Sequence, residues 1–446
     1  MFRRYIRVSG LTFRNNTFPG AAWQVRAAPD FFILLDVGAM TSYKNSELRP
    51  PIMAGSPVPP QWRVPRATWD APPWNRWSFQ HMREILPSVE VSRGNGPIAP
   101  LTTELQDIGA IEFESVNAGT ITVDTMLDET YTDGFIVIKG GKVVHESYFN
   151  DMSAQTLHLA QSVSKSITST VTGILIGQGL LDPRELITAY LPELEQTAWK
   201  GATLQQVLDM TSGVRYGEEY TNINSDIGKT DVAAGWRPLP ENADLQEYWP
   251  ACLWDQILSL KEQEAPHGSR FEYRSIETDV LAHAMERVSG RRLAQLISDE
   301  LWTKIGAEEN ASFTLDSSGY ALADGGFSAT LRDFARVGML HLNGGKWNGE
   351  QIVPASWIED IRRGDHGMFN DASRVILPNG CYRNQFWVED AAKDTVMALG
   401  VFGQWIYISP EYDLVAVKLS SWPDFLDATH KSNTLRAIHA IAGALS

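Results

Sequence analysis

The chain has 446 residues, 43% hydrophobic and 21% charged, an ordinary globular composition with room for two or three domains or one large core with insertions. Lys and Arg number 38 against 54 Asp and Glu; a net charge of −16 repels phosphate backbones and anionic lipids, which argues against nucleic-acid and membrane-surface roles. Two cysteines, Cys252 and Cys381, provide at most one bridge and no CxxC spacing, whereas 15 Trp and 13 Tyr are ample aromatic material for an organic-ligand pocket.

Met1 to Arg7 is basic, but no apolar run of signal-peptide length follows it, and the best run, Phe31 to Leu35, is flanked by Asp30 and Asp36. A span of roughly twenty apolar residues is missing too, so the expectation is a soluble cytoplasmic protein. Residues 1–73 read as an irregular arm: prolines from Pro50 to Pro73 crowd its second half and no helical or strand period survives. Phe135 to Ile138, a Gly140-Gly141 turn and Val143 to Tyr148 predict a β-hairpin. Ser162 to Gln178 follows with Val163, Ile167, Val171, Ile174 and Leu175 at helical spacing. Thr203 caps a helix predicted to run to Met210; Ile276 to Val288 carries one apolar stripe; Thr330 with Asp333 opens a helix ending at Gly344. Trp405 to Ser409 and Leu414 to Ser420 are β-rich, and Ser432 to Ala444 reads as a last helix. Strands at both ends with helices between predict an antiparallel sheet assembled from both ends of the chain. The domain expectation is residues 74–180 with 269–446 as one α/β body, and residues 181–268 as a helical lobe beside a cleft.

Several signatures are absent: no G-x-S-x-G elbow, no H-E-x-x-H and no phosphate-binding G-x-x-x-x-G-K. Nine His lack metal-ligand spacing, so neither a metal nor a cofactor is expected. What remains is Ser162-Val163-Ser164-Lys165. Ser at a helix start with Lys three residues on puts hydroxyl and amine on one face, and the Ser backbone N–H at a helix N-terminus is free to donate. A chain of this composition yields roughly one S-x-x-K by chance, so the motif gains weight from its neighbours. A Ser hydroxyl needs a base; no His–Asp pair is evident, Lys165 stands one turn away, and Tyr273 taken alone reads as a core aromatic.

Tyr273-Arg274-Ser275 and Leu399-Gly400-Val401-Phe402-Gly403-Gln404 follow in that order. With them the chain resembles the serine hydrolases of the β-lactamase and penicillin-binding-protein fold, which use S-x-x-K, Y-x-N or Y-x-S, and a third element on an edge strand. Thr203 to Gly213 and Gly326 to Gly338 match as well. The likeness is closer to one branch, the 6-aminohexanoate-dimer hydrolases that cleave nylon-oligomer amides, with related carboxylesterases. It is carried by Pro72 to Trp77, Ser162 to Ser166, Glu219-Tyr220, Ala234-Gly235-Trp236 and Lys418 to Asp424, and runs from about Pro72 to the C-terminus.

The resemblance implies an α/β (α+β) fold, an antiparallel sheet flanked by helices with a mostly helical second lobe. It assigns Ser162 as nucleophile, Lys165 as its proton partner, Tyr273 as general base and acid, and the backbone N–H groups of Ser162 and Val401 as oxyanion hole. It also places Tyr220 beside the amide nitrogen and Asp231 beside a substrate ammonium. Departures are Phe402 where close relatives carry His, Gly400 near the place of a β-lactamase Lys, Ser275 in place of Asn, and Asp324 where relatives have Asn or His. Together these disfavour β-lactam turnover. The expected substrate is a small linear amide or ester with a methylene acyl part, received among Tyr216, Tyr220, Trp236, Phe386, Trp387 and Phe402. A homodimer is compatible with the resemblance. The alternatives are a carboxylesterase without useful amidase activity and a non-catalytic member of the fold.

Overall fold

The computed structural model describes residues 42–446 except 242, 244–246 and 365–366. The first 41 residues of the expected arm lie outside the described residues.

Seven antiparallel strands make the main sheet: β1 (Thr132–Lys139), β2 (Lys142–Tyr148), β3 (Cys381–Arg383), β4 (Phe386–Asp390), β5 (Thr395–Gly400), β6 (Gln404–Ser409) and β7 (Leu414–Ser420). Their order is β3-β4-β5-β6-β7-β1-β2, so the sheet is closed by β7 pairing with β1, Leu414 opposite Lys139 and Val417 opposite Ile136. Both ends of the chain therefore build one sheet, as the sequence pattern predicts. Phe135 to Ile138 read as a continuous apolar run because both faces of β1 are covered, and all four residues are buried. The β1–β2 turn needs two left-handed residues, and Gly140 and Gly141 supply them at φ 57° and 74°.

Four helices matter for the site: α1 (Val163–Gly177), α2 (Ile276–Ser289), α3 (Leu331–Leu342) and α4 (Ala428–Ala444). Helix α3 lies across β6, β7 and β1, and α1 packs on β5 and β6. The last helix starts four residues earlier than its periodicity indicates, because Asp427 caps it by accepting from the His430 N–H. The Thr203 helix is shorter than expected, Leu204–Leu208, closed at its start by a full capping box with Gln206.

Helix α1 is buried on every side from Val163 to Leu175. Its many hydroxyls are tolerable there because each finds an acceptor. Ser166 and Ser169 donate to the carbonyls of Gln385 and Asn384 in the β3–β4 turn, at 2.7 and 2.6 Å, while Thr170 and Thr172 bond back to Ser166 and Thr168.

A smaller sheet orders Ser88–Val91, Ala311–Thr314, Phe327–Ala329 and His158–Leu159. The strand at His158 feeds straight into Ser162 and is pinned by a fully buried network. Asp133 of β1 accepts from Arg76 at 2.8 Å, from Ser421 at 2.6 Å and lies 3.0 Å from His158 Nε2. Burial pushes the Asp133 carboxyl up, but Arg76 and these hydrogen bonds prevail and hold its pKa below the ordinary value. Residues 42–73 contain one short 3-10 helix, Pro60–Trp62, and belong to the same compact unit as the rest of the described residues. Trp69 is buried edge-on to Trp236, with ring centroids 5.1 Å apart. Among the named elements between residues 181 and 268 all are helical, and residues 42–446 cluster as one compact unit.

Candidate active site

Ser162 is the N-cap of α1, reached through Gln161 in left-handed conformation (φ 49°), a strained approach for a residue with a side chain. Its hydroxyl makes no capping bond. Instead it accepts a hydrogen bond from Lys165 Nζ at 2.9 Å, one helical turn further on. Lys165 Nζ also donates to the Asp324 carbonyl at 2.8 Å and lies 3.8 Å from Asp324 Oδ2. Tyr273 enters from the segment before α2, with the centre of its ring 5.2 Å from Lys165 Nζ, and its phenol is close enough for both Ser162 and Lys165 to act on its titration. The three residues assigned to chemistry by resemblance, 111 positions apart in sequence at the widest, are thus brought to one point.

The charge state follows from what surrounds Lys165. Burial alone pulls an ammonium pKa down, but Tyr273, Asp324 and Glu218 all push it up, and the net direction is above the ordinary value. The resting lysine is a cation, and the neutral amine that burial alone would favour is not its resting form. Burial raises the Tyr273 pKa, while Lys165 and the hydrogen bond with Ser162 oppose the rise. Burial likewise raises Asp324 and Glu218, with Lys165 opposing in each case. Glu218 accepts from the Ser275 backbone N–H at the start of α2, and after burial its charge is the main influence that raises the Tyr220 phenol.

The third element is the β5–β6 turn. Gly400 ends β5 where a Cβ would stand 2.6 Å from the Ala160 carbonyl oxygen, so only glycine lets this strand approach the segment leading to Ser162. Val401 follows, then Phe402 at φ 61°, whose N–H is taken by the Phe425 carbonyl at 2.9 Å. The backbone N–H groups of Ser162 and Val401 have no hydrogen-bond acceptor among the described residues. Gly400→Ala is expected to cost about 1–3 kcal/mol of stability by overpacking and to lower kcat by displacing Val401, read by thermal melting and ester turnover.

A cleft of about 660 Å3, open mouth included, runs from Ser162 past Tyr220, Asp231, Trp236, Asp324 and Phe402. Three aromatics expected there are elsewhere. Phe386 is buried against His341, with centroids 4.8 Å apart. Tyr216 and Trp387 line a neighbouring cavity; Trp387 stacks on Tyr273 at 5.7 Å and so backs the phenol without lining the Ser162 cleft. Asp324 faces Lys165 more than open space, which makes it a charge partner of the lysine. Asp231 is in the cleft but already has a cation: Arg237 Nε lies 3.2 Å from it, and the same guanidinium reaches Asp70 at 2.6 Å. Burial and the Asp70 charge push Asp231 up to about 7 against the pull of Arg237. Glu218, Asp70 and Arg237 were not singled out by the sequence pattern; Glu218 sits two residues before Tyr220, while nothing local marks Asp70.

The beta-lactamase family model matches residues 123–441, and the chain belongs to that family. It is 35% identical over 359 residues to the 6-aminohexanoate-dimer hydrolase of Paenarthrobacter ureafaciens, covering 80% of this chain and 88% of that one. A Bacillus anthracis protein of known structure, assigned as a 6-aminohexanoate-dimer hydrolase, superposes with a TM-score of 0.79 at 30% identity over 87% of this chain and 98% of its own. EstCE1, a hydrolase with promiscuous acyltransferase activity, shares the fold at a TM-score of 0.57 and 18% identity, over 72% of this chain and 96% of that one. The protein is an enzyme, a hydrolase of β-lactamase fold. No helix among the described residues is long and apolar enough to cross a membrane.

Proposed function

We propose that the protein is a serine hydrolase that works through an acyl-enzyme on Ser162 and cleaves linear amides of the 6-aminohexanoate-oligomer type together with short-chain esters. The observation that carries this reading is the Ser162 hydroxyl held 2.9 Å from Lys165 Nζ, with the Tyr273 ring centre 5.2 Å from the same amine. In the reactive form Tyr273 is a phenolate, and the cationic Lys165 lowers the cost of that charge. Ser162 Oγ adds to the carbonyl carbon as its proton passes to Tyr273, and the developing oxyanion is met by the Ser162 and Val401 N–H groups. Tyr273 then returns the proton to the departing nitrogen or oxygen as the C–N or C–O bond breaks. Water repeats the sequence on the acyl-enzyme. The small-molecule substrate lies in the cleft against Phe402 and Tyr220, with Asp231 at its acyl end. Trp387 acts behind Tyr273. No metal or cofactor takes part in these steps.

The amide part of the reading is tested at Asp231. A charge-assisted contact to an ammonium contributes about 1.5–3 kcal/mol, roughly ten- to a hundredfold in kcat/KM. Asp231→Asn is expected to weaken cleavage of the 6-aminohexanoate linear dimer by that factor and to leave p-nitrophenyl butyrate turnover within about twofold. Because the Asp231 carboxyl titrates at about 7, it is largely uncharged below that pH. The dimer's advantage over the ester is therefore expected to grow as pH rises through 7 and to fade below it. Equal dimer cleavage by wild type and Asp231→Asn would remove this residue from the acyl site. Nitrocefin turnover is expected to be negligible, since Gly400 and Phe402 bring no cation to the third element.

A second reading, a carboxylesterase without useful amidase activity, is favoured by one observation: Arg237 already occupies Asp231. Robust ester cleavage with no dimer cleavage at any pH would select it.

A further inference from the structure

Gln404 opens β6 straight after the β5–β6 turn and is fully buried. A polar side chain is carried into a core only against hydrogen bonds, and its partners show what it holds. The Gln404 Nε2 donates to the Ser420 carbonyl at 2.6 Å and toward the carbonyls of Phe402 at 3.2 Å and Val401 at 3.4 Å. Its Oε1 accepts from the Ser420 N–H at 3.2 Å. Regular pairing of β6 with β7 stops where Trp405 faces Lys418. Two residues further along β7, the Gln404 amide takes both backbone groups of Ser420, as a neighbouring strand would. The backbone of the turn is thereby free to leave the sheet while its carbonyls stay tied to β7.

The turn is held from residues 420–425 as well. Phe402 sits at φ 61°, a conformation that costs a side-chain residue free energy and persists only where neighbours hold it. Its N–H donates to the Phe425 carbonyl at 2.9 Å and its carbonyl accepts from the Trp422 N–H at 3.3 Å. Gly403 follows at φ 87°, where a Cβ would run into the Trp422 indole. The Val401 carbonyl and the Phe402 N–H belong to one peptide plane, and Gln404 and Phe425 hold its two ends. What Val401 keeps uncommitted is its own N–H, on the wall of the Ser162 cleft; Gln404 does not line that cleft.

We propose that Gln404 is a positioning residue for the oxyanion hole: its amide ties the β5–β6 turn to Ser420 and so fixes the Val401 N–H where the oxyanion develops. This rests on the assignment of the Ser162 and Val401 N–H groups as the two donors. Gln404 itself touches no reacting atom.

Oxyanion-hole donors act on the atom they bind. The test therefore compares p-nitrophenyl butyrate with its thionoester, in which sulfur, larger and a weaker acceptor, replaces the carbonyl oxygen. The quantity read is the ester-to-thionoester ratio of kcat/KM, divided by the same ratio for hydroxide in solution, so that any loss of folded enzyme cancels. For the wild type it should exceed one by about a hundredfold. Gln404→Met fills similar space without a donor or an acceptor for Ser420, and is expected to lower the ratio about tenfold, through kcat with KM little changed. Gln404→Asn keeps an amide one methylene short of its partners; it should lower the ratio in the same direction, and it carries the test if Gln404→Met does not fold. Ile408→Val, a loss of buried packing on the same strand, should leave the ratio at the wild-type value. A folded Gln404 variant that loses activity equally on ester and thionoester, or loses none, would overturn the positioning role, and so would an equal fall of the ratio in Ile408→Val. A wild-type ratio of one would overturn the assignment of the hole itself, so the two failures are told apart.

Discussion

Ser162→Ala is expected to abolish p-nitrophenyl butyrate turnover while leaving the fold intact. The two halves of that expectation have separate grounds. The Ser162 hydroxyl makes no helix-capping bond, and its hydrogen-bonded partner Lys165 keeps a second acceptor, the Asp324 carbonyl at 2.8 Å. Removing the hydroxyl therefore costs Lys165 one of its hydrogen bonds and leaves it the Asp324 carbonyl, and melting should fall only slightly. Chemistry, in contrast, loses its only covalent route, and losses of about 10⁴-fold or more in kcat are the scale on which nucleophile removal acts in serine hydrolases. Turnover in the variant near the wild-type rate would mean that another group attacks, or that water does so directly.

Lys165→Ala and Tyr273→Phe are each expected to lower kcat by about a hundredfold or more with little change in KM. Neither removes a wall of the substrate cleft, so ground-state binding should survive. Their pH behaviour separates them from merely structural variants. Tyr273 is a phenol with a raised pKa at rest, and the reactive form is its phenolate, so wild-type kcat/KM should climb by about one log unit per pH unit below that pKa. The climb should vanish in Tyr273→Phe. In Lys165→Ala it should move to higher pH, because the cation that stabilises the phenolate is gone. A Tyr273→Phe enzyme with unchanged kcat and an unchanged pH profile would show that some other group carries the proton.

Much of this arrangement is legible in the sequence, and the rest resists reading for identifiable reasons. The β1–β2 hairpin, β6 and β7 are marked by apolar runs between glycine or proline turns, and the S-x-x-K spacing fixes Ser162 and Lys165 on one helical face without tertiary information. The short strands β3, β4 and β5 are less visible, since much of their order comes from pairing with each other and with β6. The aromatics illustrate the cost. Phe386 and Trp387 are neighbours on β4, and strand geometry sends successive side chains to opposite faces. Both cannot serve one cleft: Phe386 packs against His341 and Trp387 against Tyr273. The protonation state of Lys165 is equally non-local, since Asp324, Glu218 and Tyr273 that set it come from three separate segments. Asp231 was recognisable by position, but its pairing with Arg237 and, through it, with Asp70, far away in sequence, is a product of the fold.

The central claim is a covalent acyl-enzyme on Ser162, and acid-quenched intact-mass spectrometry tests it most directly. Enzyme mixed with excess p-nitrophenyl butyrate and quenched during turnover should carry one added butyryl mass, mapped by proteolysis to the peptide containing Ser162 and absent from Ser162→Ala. A butyryl group on any other residue, or steady turnover with no adduct under conditions where deacylation is slowed by low temperature, would contradict it.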